Sequence, residues 1–197
     1  MSSTGGSATT SDRSAARRNA GDEALYADLR ARAAALAGLD PEARLQPLAD
    51  LIWDALSSRG LSWGGFYVID PETPVDRTTR TGSMLLAARR DKPACSPIGL
   101  HGVCGQGFLE EATRLVEDVA LLGGGYIACD PRDRSELVLP IYRNGACWGV
   151  LDLDSHEIGC FGESDVLGLE VVLRAAGFLD RTPPLRADRL QDRNGTL

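Results

Sequence analysis

Leu25, Leu29, Ala33 and Leu36 recur three or four positions apart among polar neighbours, which places them on one face of an α-helix. Asp40-Pro41-Glu42 supplies an N-cap, a proline for the first helical position and a first-turn acid, so a second helix is expected to start there. It would carry Leu45, Leu48, Ile52 and Leu56 on one face and stop at Gly60. Trp63 to Ile69, rich in aromatic and β-branched residues, then reads as a strand and Ser83 to Ala88 as another, with a polar loop between them. Cys104 to Ala112 reads as a short helix, Arg114 to Glu117 as a brief strand, and Gly123 to Gly125 as a mobile loop leading into Tyr126 to Cys129. Leu137 to Arg143 and Ala146 to Leu153 flank Asn144-Gly145, the pair that most readily takes positive φ at both central positions of a hairpin turn. A closing helix is expected from Glu163 to Asp180, with Val166, Leu169, Leu173 and Ala176 on one face. This order suits an α+β domain, an antiparallel sheet with helices beside it, rather than a βαβ repeat.

The chain has 197 residues, enough for one domain of ordinary size. Residues 1–22 hold Ser, Thr, Gly, Ala and Arg with nothing large to bury, and residues 181–197 are similar, so both are expected as flexible tails around a domain at 23–180. No apolar run reaches the roughly 18 residues of a membrane span, and the first twenty residues lack an apolar signal core, so a cytoplasmic protein is expected. Residues 1–22 carry +1 and residues 181–197 carry +2, which leaves −10 on residues 23–180 out of the net −7. Such a surface repels phosphate backbones and argues against nucleic acid as a partner. Five cysteines form an odd set without an export signal, which disfavours a disulfide scaffold. Cys95, Cys104 and Cys129 lack the close paired spacing of zinc knuckles, and His101 and His156 stand isolated, so no metal site is expected.

Strand alternation puts Trp148, Val150, Asp152 and Asp154 on one face and Cys147, Gly149, Leu151 and Leu153 on the other. From pattern alone the two aspartates read first as a solvated face. The alternative is a pocket wall that receives a cation or holds one carboxyl protonated. Cys129, taken singly, reads as a small buried hydrophobe, but three thiols in one span bordered by glycines favour redox use, because a sulfenic acid is resolved only when a second thiol can approach. The two-residue turn places Arg143 opposite Ala146 and hence Glu136 opposite Leu153, away from the aspartates, unless a bulge intervenes or Glu136 precedes the ladder.

Trp63-Gly-Gly-Phe-Tyr67, Lys92-Pro-Ala-Cys95, Gly102-Val-Cys104-Gly105, Ile127-Ala-Cys129-Asp130, Ser135-Glu136-Leu-Val-Leu-Pro140 and Gly149-Val-Leu-Asp-Leu-Asp-Ser155 together resemble the free methionine-(R)-sulfoxide reductases, a family built on a single GAF domain. The resemblance runs from about Leu25 to Leu179. It implies a GAF-like sheet flanked by helices and thioredoxin-dependent reduction of free L-methionine-(R)-S-oxide, with no cofactor. It further implies Cys129 as nucleophile, Cys95 as resolving thiol, Cys104 as a further redox cysteine, Glu136, Asp152 and Asp154 as substrate-binding carboxylates, and Trp63 as the wall for the substrate methyl. The segment Ala87 to Asp91 departs from the family's usual turn, and Tyr126 stands where His is common. The competing readings are a regulatory GAF module that binds a small ligand and a thiol-based oxidant sensor. The sequence leaves the oligomeric state open, a homodimer included.

Overall fold

Asn144 and Gly145 have φ of 53° and 78°, so this pair turns the chain as its composition requires. The computed structural model describes residues 10–125 and 129–188. In chain order its elements are α1 (Thr10–Ala34), α2 (Pro41–Leu56), β1 (Leu61–Ile69), β2 (Ser83–Arg90), β3 (Ile98–Gly99), α3 (Val103–Glu110), β4 (Thr113–Val116), β5 (Ser135–Arg143), β6 (Ala146–Ser155), α4 (Glu163–Ala175) and β7 (Leu185–Asp188). The strands form a seven-stranded sheet in the order β3-β2-β1-β6-β5-β4-β7. Every pairing is antiparallel except β4 with β7, so the sheet is mixed rather than purely antiparallel.

The helical spacing of the apolar residues becomes one side of the molecule. Leu29 of α1, Leu45, Leu48 and Ile52 of α2, and Leu169 and Leu173 of α4 bury against Phe66, Leu139, Leu151 and Leu153 of the sheet. Each such side chain contributes about 1.5–3 kcal/mol on burial. Gly168 makes the α1–α4 contact close, because a Cβ there would lie 2.2 Å from the Tyr26 ring. The opposite sheet face is covered more thinly, by α3 and the segment before it, with Tyr67, Met84, Leu100, Val103, Phe108, Val138 and Val150 as its core.

Three expectations are corrected. Residues 10–22, expected as tail, belong to α1, since Ala- and Arg-rich sequence propagates a helix once its later turns are anchored. Asp22 is buried, pairs with Arg59 and accepts a 3.2 Å bond from the Ser164 hydroxyl. The closing helix stops at Ala175 rather than Asp180, because Gly177 takes φ 79° and the Phe178 N–H turns back to the Leu173 carbonyl at 2.8 Å. Leu185 to Asp188, also expected as tail, pair with β4 from Thr113↔Leu185 to Val116↔Asp188. The Gly123–Gly125 segment lies in a 3-10 stretch, Val119–Gly125, broken at Gly123 with φ 73° and ψ −164°. Tyr126, Ile127 and Ala128 fall outside the described residues.

The hairpin itself carries a fourth correction. Arg143 opposes Ala146 and Tyr142 opposes Cys147, but Ile141 opposes Gly149, so Trp148 is an extra residue in β6. Trp148 therefore does not share a face with Asp152: its ring lies on the helical side, 6.1 Å from Phe178 at an interplanar angle of 24°. Downstream of the bulge Glu136 faces Asp154 and Val138 faces Asp152.

Gly149 sits beside this bulge with no room for a side chain, since a Cβ would lie 2.2 Å from the Tyr67 carbonyl oxygen and 2.9 Å from the Val68 Cα. Gly149→Ala must push β1 from β6 and is expected to cost about 1–3 kcal/mol or more, read as a lower midpoint in urea denaturation. An unchanged midpoint would mean that the ladder yields there without strain.

Candidate active site

The register shift brings Glu136, Asp152 and Asp154 onto the thinly covered face, beside Tyr67 of β1. Together with Cys95, Cys104 and Cys129 they line a cavity of about 260 Å³, whose wall also includes Ile98, His101, Val103 and Asp133. β5 and β6 carry the carboxylates, α3 carries Cys104, and the loop segments before β3 and β5 carry Cys95 and Cys129. Trp63 lies in an adjoining recess shared with Lys92, Cys129, Asp152 and Asp154. All seven residues singled out in the sequence thus meet at one place. Gly65 makes the position of Trp63 available, because a Cβ there would lie 2.5 Å from the indole ring.

The solvated-face reading of the aspartates is overturned: Asp152 is 6% exposed and Asp154 9%. Burial pushes the Asp152 carboxyl up to about 7, against the lowering effect of contacts from Cys104 and Glu136. Burial likewise holds Asp154 well above the usual carboxylate range, with Asp152 and Glu136 adding repulsion. Desolvation raises the Cys104 thiol strongly, and Asp152 and Glu136 raise it further. The pocket is a place where negative charge is costly and protons are retained.

Cys95 and Cys129 differ from Cys104 in being exposed. Their thiols hydrogen-bond to one another, and burial of part of the Cys129 side chain, followed by that bond, pushes its thiol up to about 12. The loops that carry them are tied to the sheet and to each other. The Trp63 Nε1–H donates to the Lys92 carbonyl at 2.9 Å, and the Tyr67 hydroxyl donates to the Cys95 carbonyl at 2.9 Å. The Lys92 ammonium pairs with Asp130, which also takes bonds from Arg132 at 2.8 and 3.1 Å. Those bonds, Arg132 before Lys92, hold the Asp130 carboxyl well below its ordinary value.

Sequence reasoning missed part of this arrangement. His156 is not isolated: its Nε2 lies 3.5 Å from Asp130 and 3.8 Å from Asp133. His101, also read as isolated, lines the cavity. Asp133 and the Lys92–Asp130 tie come together through loops distant in sequence, for which spacing offers no signal, whereas Tyr67 could have been found from its alternation with Trp63 on β1. Cys147 and Cys160 lie outside the cavity, donating to the carbonyls of Gly149 at 3.7 Å and Arg59 at 3.6 Å.

The chain is similar to several known proteins. No family model matches the chain. It is 37% identical over 113 residues to GAF domain-containing protein A of Dictyostelium discoideum, covering 57% of this chain and 65% of that one, just under two thirds of its length. It is 33% identical over 129 residues to the free methionine-R-sulfoxide reductase of Escherichia coli, covering 64% of this chain and 70% of the relative. The free methionine-R-sulfoxide reductase of Neisseria meningitidis, solved in complex with its substrate, superposes with a TM-score of 0.64 at 28% identity, over 90% of this chain and 96% of that one. Solved GAF structures share the fold with TM-scores of 0.67 and 0.70.

The retained proton at Asp152 has a consequence for stability. The unfolded carboxyl ionises near ~3.9, so between that value and about 7 the folded protein holds a proton that the unfolded chain has released. Stability from this group is therefore full below the unfolded value and is lost as pH rises through the folded one. Asp152→Asn cannot ionise, so it should gain stability relative to the parent as pH rises from about 4 to about 7 in urea titrations. A constant difference across that range would assign the retained proton to another group.

Proposed function

Because the chain belongs to the free methionine-R-sulfoxide reductase family, we propose that it reduces free methionine-(R)-sulfoxide to methionine with Cys129 as the nucleophile and Cys95 as the resolving thiol. The observation that carries this reading is one cavity lined at once by two exposed, mutually hydrogen-bonded thiols and by three buried carboxyl groups. An oxidant sensor needs the thiols alone. The carboxylates make sense for a ligand that brings a positive charge, and a free amino acid does so through its ammonium, which needs fixed partners when it leaves water. The substrate carboxylate would point toward the first turn of α3, where Gly102, Val103 and Cys104 line the cavity and the helix dipole is positive. The Trp63 recess would take the methyl group.

In the first step the Cys129 sulfur attacks the sulfoxide sulfur while a protonated carboxyl, Asp152 or Asp154, donates a hydrogen bond to the sulfoxide oxygen. The oxygen passes to Cys129 as a sulfenic acid and methionine leaves as the thioether, so the substrate sulfur is reduced and the cysteine sulfur oxidised. The Cys95 thiol then attacks the sulfenic sulfur, water departs and a Cys95–Cys129 disulfide forms. An external dithiol of the thioredoxin type takes the disulfide back to two thiols. Cys104, buried and with its thiol proton held tightly, stands in reserve for this exchange rather than at its start. The cytoplasm, where thiols stay reduced, is the setting this cycle fits. No helix among the described residues is long and apolar enough to cross a membrane.

Cys129→Ser should form no methionine from racemic sulfoxide even in a single turnover without reductant, measured by chromatography. Cys95→Ala should keep that single turnover and lose cycling with thioredoxin, its reductase and NADPH. Normal yield from Cys129→Ser would move the nucleophile to another thiol, and full cycling by Cys95→Ala would make Cys104 the resolver. N-acetyl-methionine sulfoxide removes the ammonium and leaves a buried carboxylate unpaired, at about 3–5 kcal/mol, so its kcat/KM should fall at least about a hundredfold. Equal turnover of the acetylated and free compounds would remove the carboxylates from substrate recognition.

A further inference from the structure

Sequence spacing argues against zinc, but the fold assembles ligands that spacing does not show. One donor atom each from Cys104 on α3, Glu136 on β5 and Asp152 on β6 lies within 4.8 Å of the others, and all three residues are buried. A second observation is independent of that clustering: the Oδ1 of Asp152, a side chain nine-tenths buried, has no hydrogen-bond partner although it lines the cavity. A desolvated carboxylate oxygen without a donor costs free energy that a cation would recover. Among the described residues, no lysine or arginine lines this cavity to fill that role. The other cluster of this kind, Asp130, Asp133 and His156, differs in this respect, because Lys92 and Arg132 already occupy Asp130.

We propose that Cys104, Glu136 and Asp152 form a binding site for a thiophilic divalent cation, Zn²⁺ in chemical type, whose occupancy excludes substrate from the cavity. A thiolate with two carboxylates suits a borderline-soft ion, whereas Mg²⁺ and Ca²⁺ take oxygen ligands only. Zinc holds sulfur at about 2.3 Å and carboxylate oxygen at about 2.0–2.2 Å, so its tetrahedral ligands stand roughly 3.3–3.7 Å apart. The donor atoms of the cluster, within 4.8 Å of one another, would have to close by up to about 1 Å to reach that spacing. On binding, the thiol proton leaves to solvent and the fourth position of the metal faces the cavity. Exclusion of substrate rests on the functional reading above, since the ammonium and the sulfoxide oxygen would meet the same carboxylates. Metal binding itself does not rest on it.

Cobalt is the probe, because it reports its ligands by absorbance. Co²⁺ added to the reduced protein should produce a thiolate-to-cobalt charge-transfer band and the strong visible bands of a tetrahedral site, and Zn²⁺ should displace both. The bands should vanish in Cys104→Ser, a near-isosteric change whose folding is checked by thermal denaturation. They should persist when Cys95 and Cys129 are both changed to Ala. Asp152→Asn should weaken Co²⁺ binding by about tenfold or more. Absence of the charge-transfer band in the parent protein, or a band that survives Cys104→Ser or needs Cys95 and Cys129, overturns the site. Free methionine sulfoxide should raise the apparent Co²⁺ dissociation constant in the Cys95/Cys129 double variant, where no turnover occurs. A Cys104-dependent band that the sulfoxide leaves unchanged upholds the metal site and overturns its exclusion of substrate, whereas absence of the band in parent protein that reduces the sulfoxide overturns the metal site alone.

Discussion

The register of β5 on β6 is set by Asn144-Gly145 and then changed by one residue at Trp148, and the arrangement of the site depends on that change. In a ladder with a side-chain period of two, one extra residue moves every later side chain of one strand to the other face relative to its partner. Without it Glu136 would oppose Leu153 and point among the helices, where a carboxylate has no partner and displaces apolar packing. With it Glu136 stands opposite Asp154, diagonal to Asp152, and Trp148 is moved into the apolar layer beside Phe178. The same insertion thus satisfies both faces, adding a large aromatic to one and a carboxylate to the other.

The sheet separates two kinds of environment. Three helices cover one face with interdigitated apolar side chains. The other face is roofed by one short helix and by loops, which cannot close-pack over its whole width. A cavity is the result, and its position between sheet and loops explains the division of labour among its residues. The strands hold the carboxylates rigidly, at separations fixed by the ladder. The loops carry Cys95 and Cys129, the groups that would have to change distance if a disulfide formed between them. Tyr67, Trp63 and the Lys92–Asp130 pair tether those loops without freezing them, since each bond reaches a loop backbone or a side chain at its rim.

What could be read from the sequence follows from which interactions are local. The Asn-Gly turn, the proline and first-turn acid that start α2 and the glycine after it act within a few residues and do in the structure what their chemistry implies, although Asp40, at the N-cap, makes no side-chain cap hydrogen bond. The apolar spacing of α2 and α4 reports burial against a sheet. β7 was missed because Leu185-Arg-Ala-Asp188, although it alternates apolar with polar residues, is only four residues long and follows two prolines in a polar segment, its place being set by hydrogen bonds to β4. The first turns of α1 were missed because they look like linker by composition and owe their helix to the turns that follow. The bulge was legible only as a conflict between the hairpin register and the grouping of the acids. His156 was unreadable as a neighbour of Asp130 and Asp133, since that contact depends on how two loops close.

The titration behaviour of the pocket fits a reaction that moves oxygen rather than one that needs a strong anion. A thiol pushed up to about 12, as Cys129 is, offers little thiolate at neutral pH. For a protease-like attack that would be a defect. In sulfoxide reduction the balance differs, because a thiol and a sulfoxide yield a sulfenic acid and a thioether with no net loss or gain of protons. The proton that leaves the attacking sulfur is needed on oxygen before the reaction is over. A desolvated pocket that keeps protons on Asp152, Asp154 and Cys129 would store the acid that a sulfoxide oxygen requires, and a bound ammonium would favour ionisation of whichever carboxyl it meets. Substrate entry would therefore separate the acids into one ionised partner and one proton donor. The reactive state would assemble only around a ligand that brings both a cation and an S=O group, a discrimination that peroxide, lacking the cation, does not obtain.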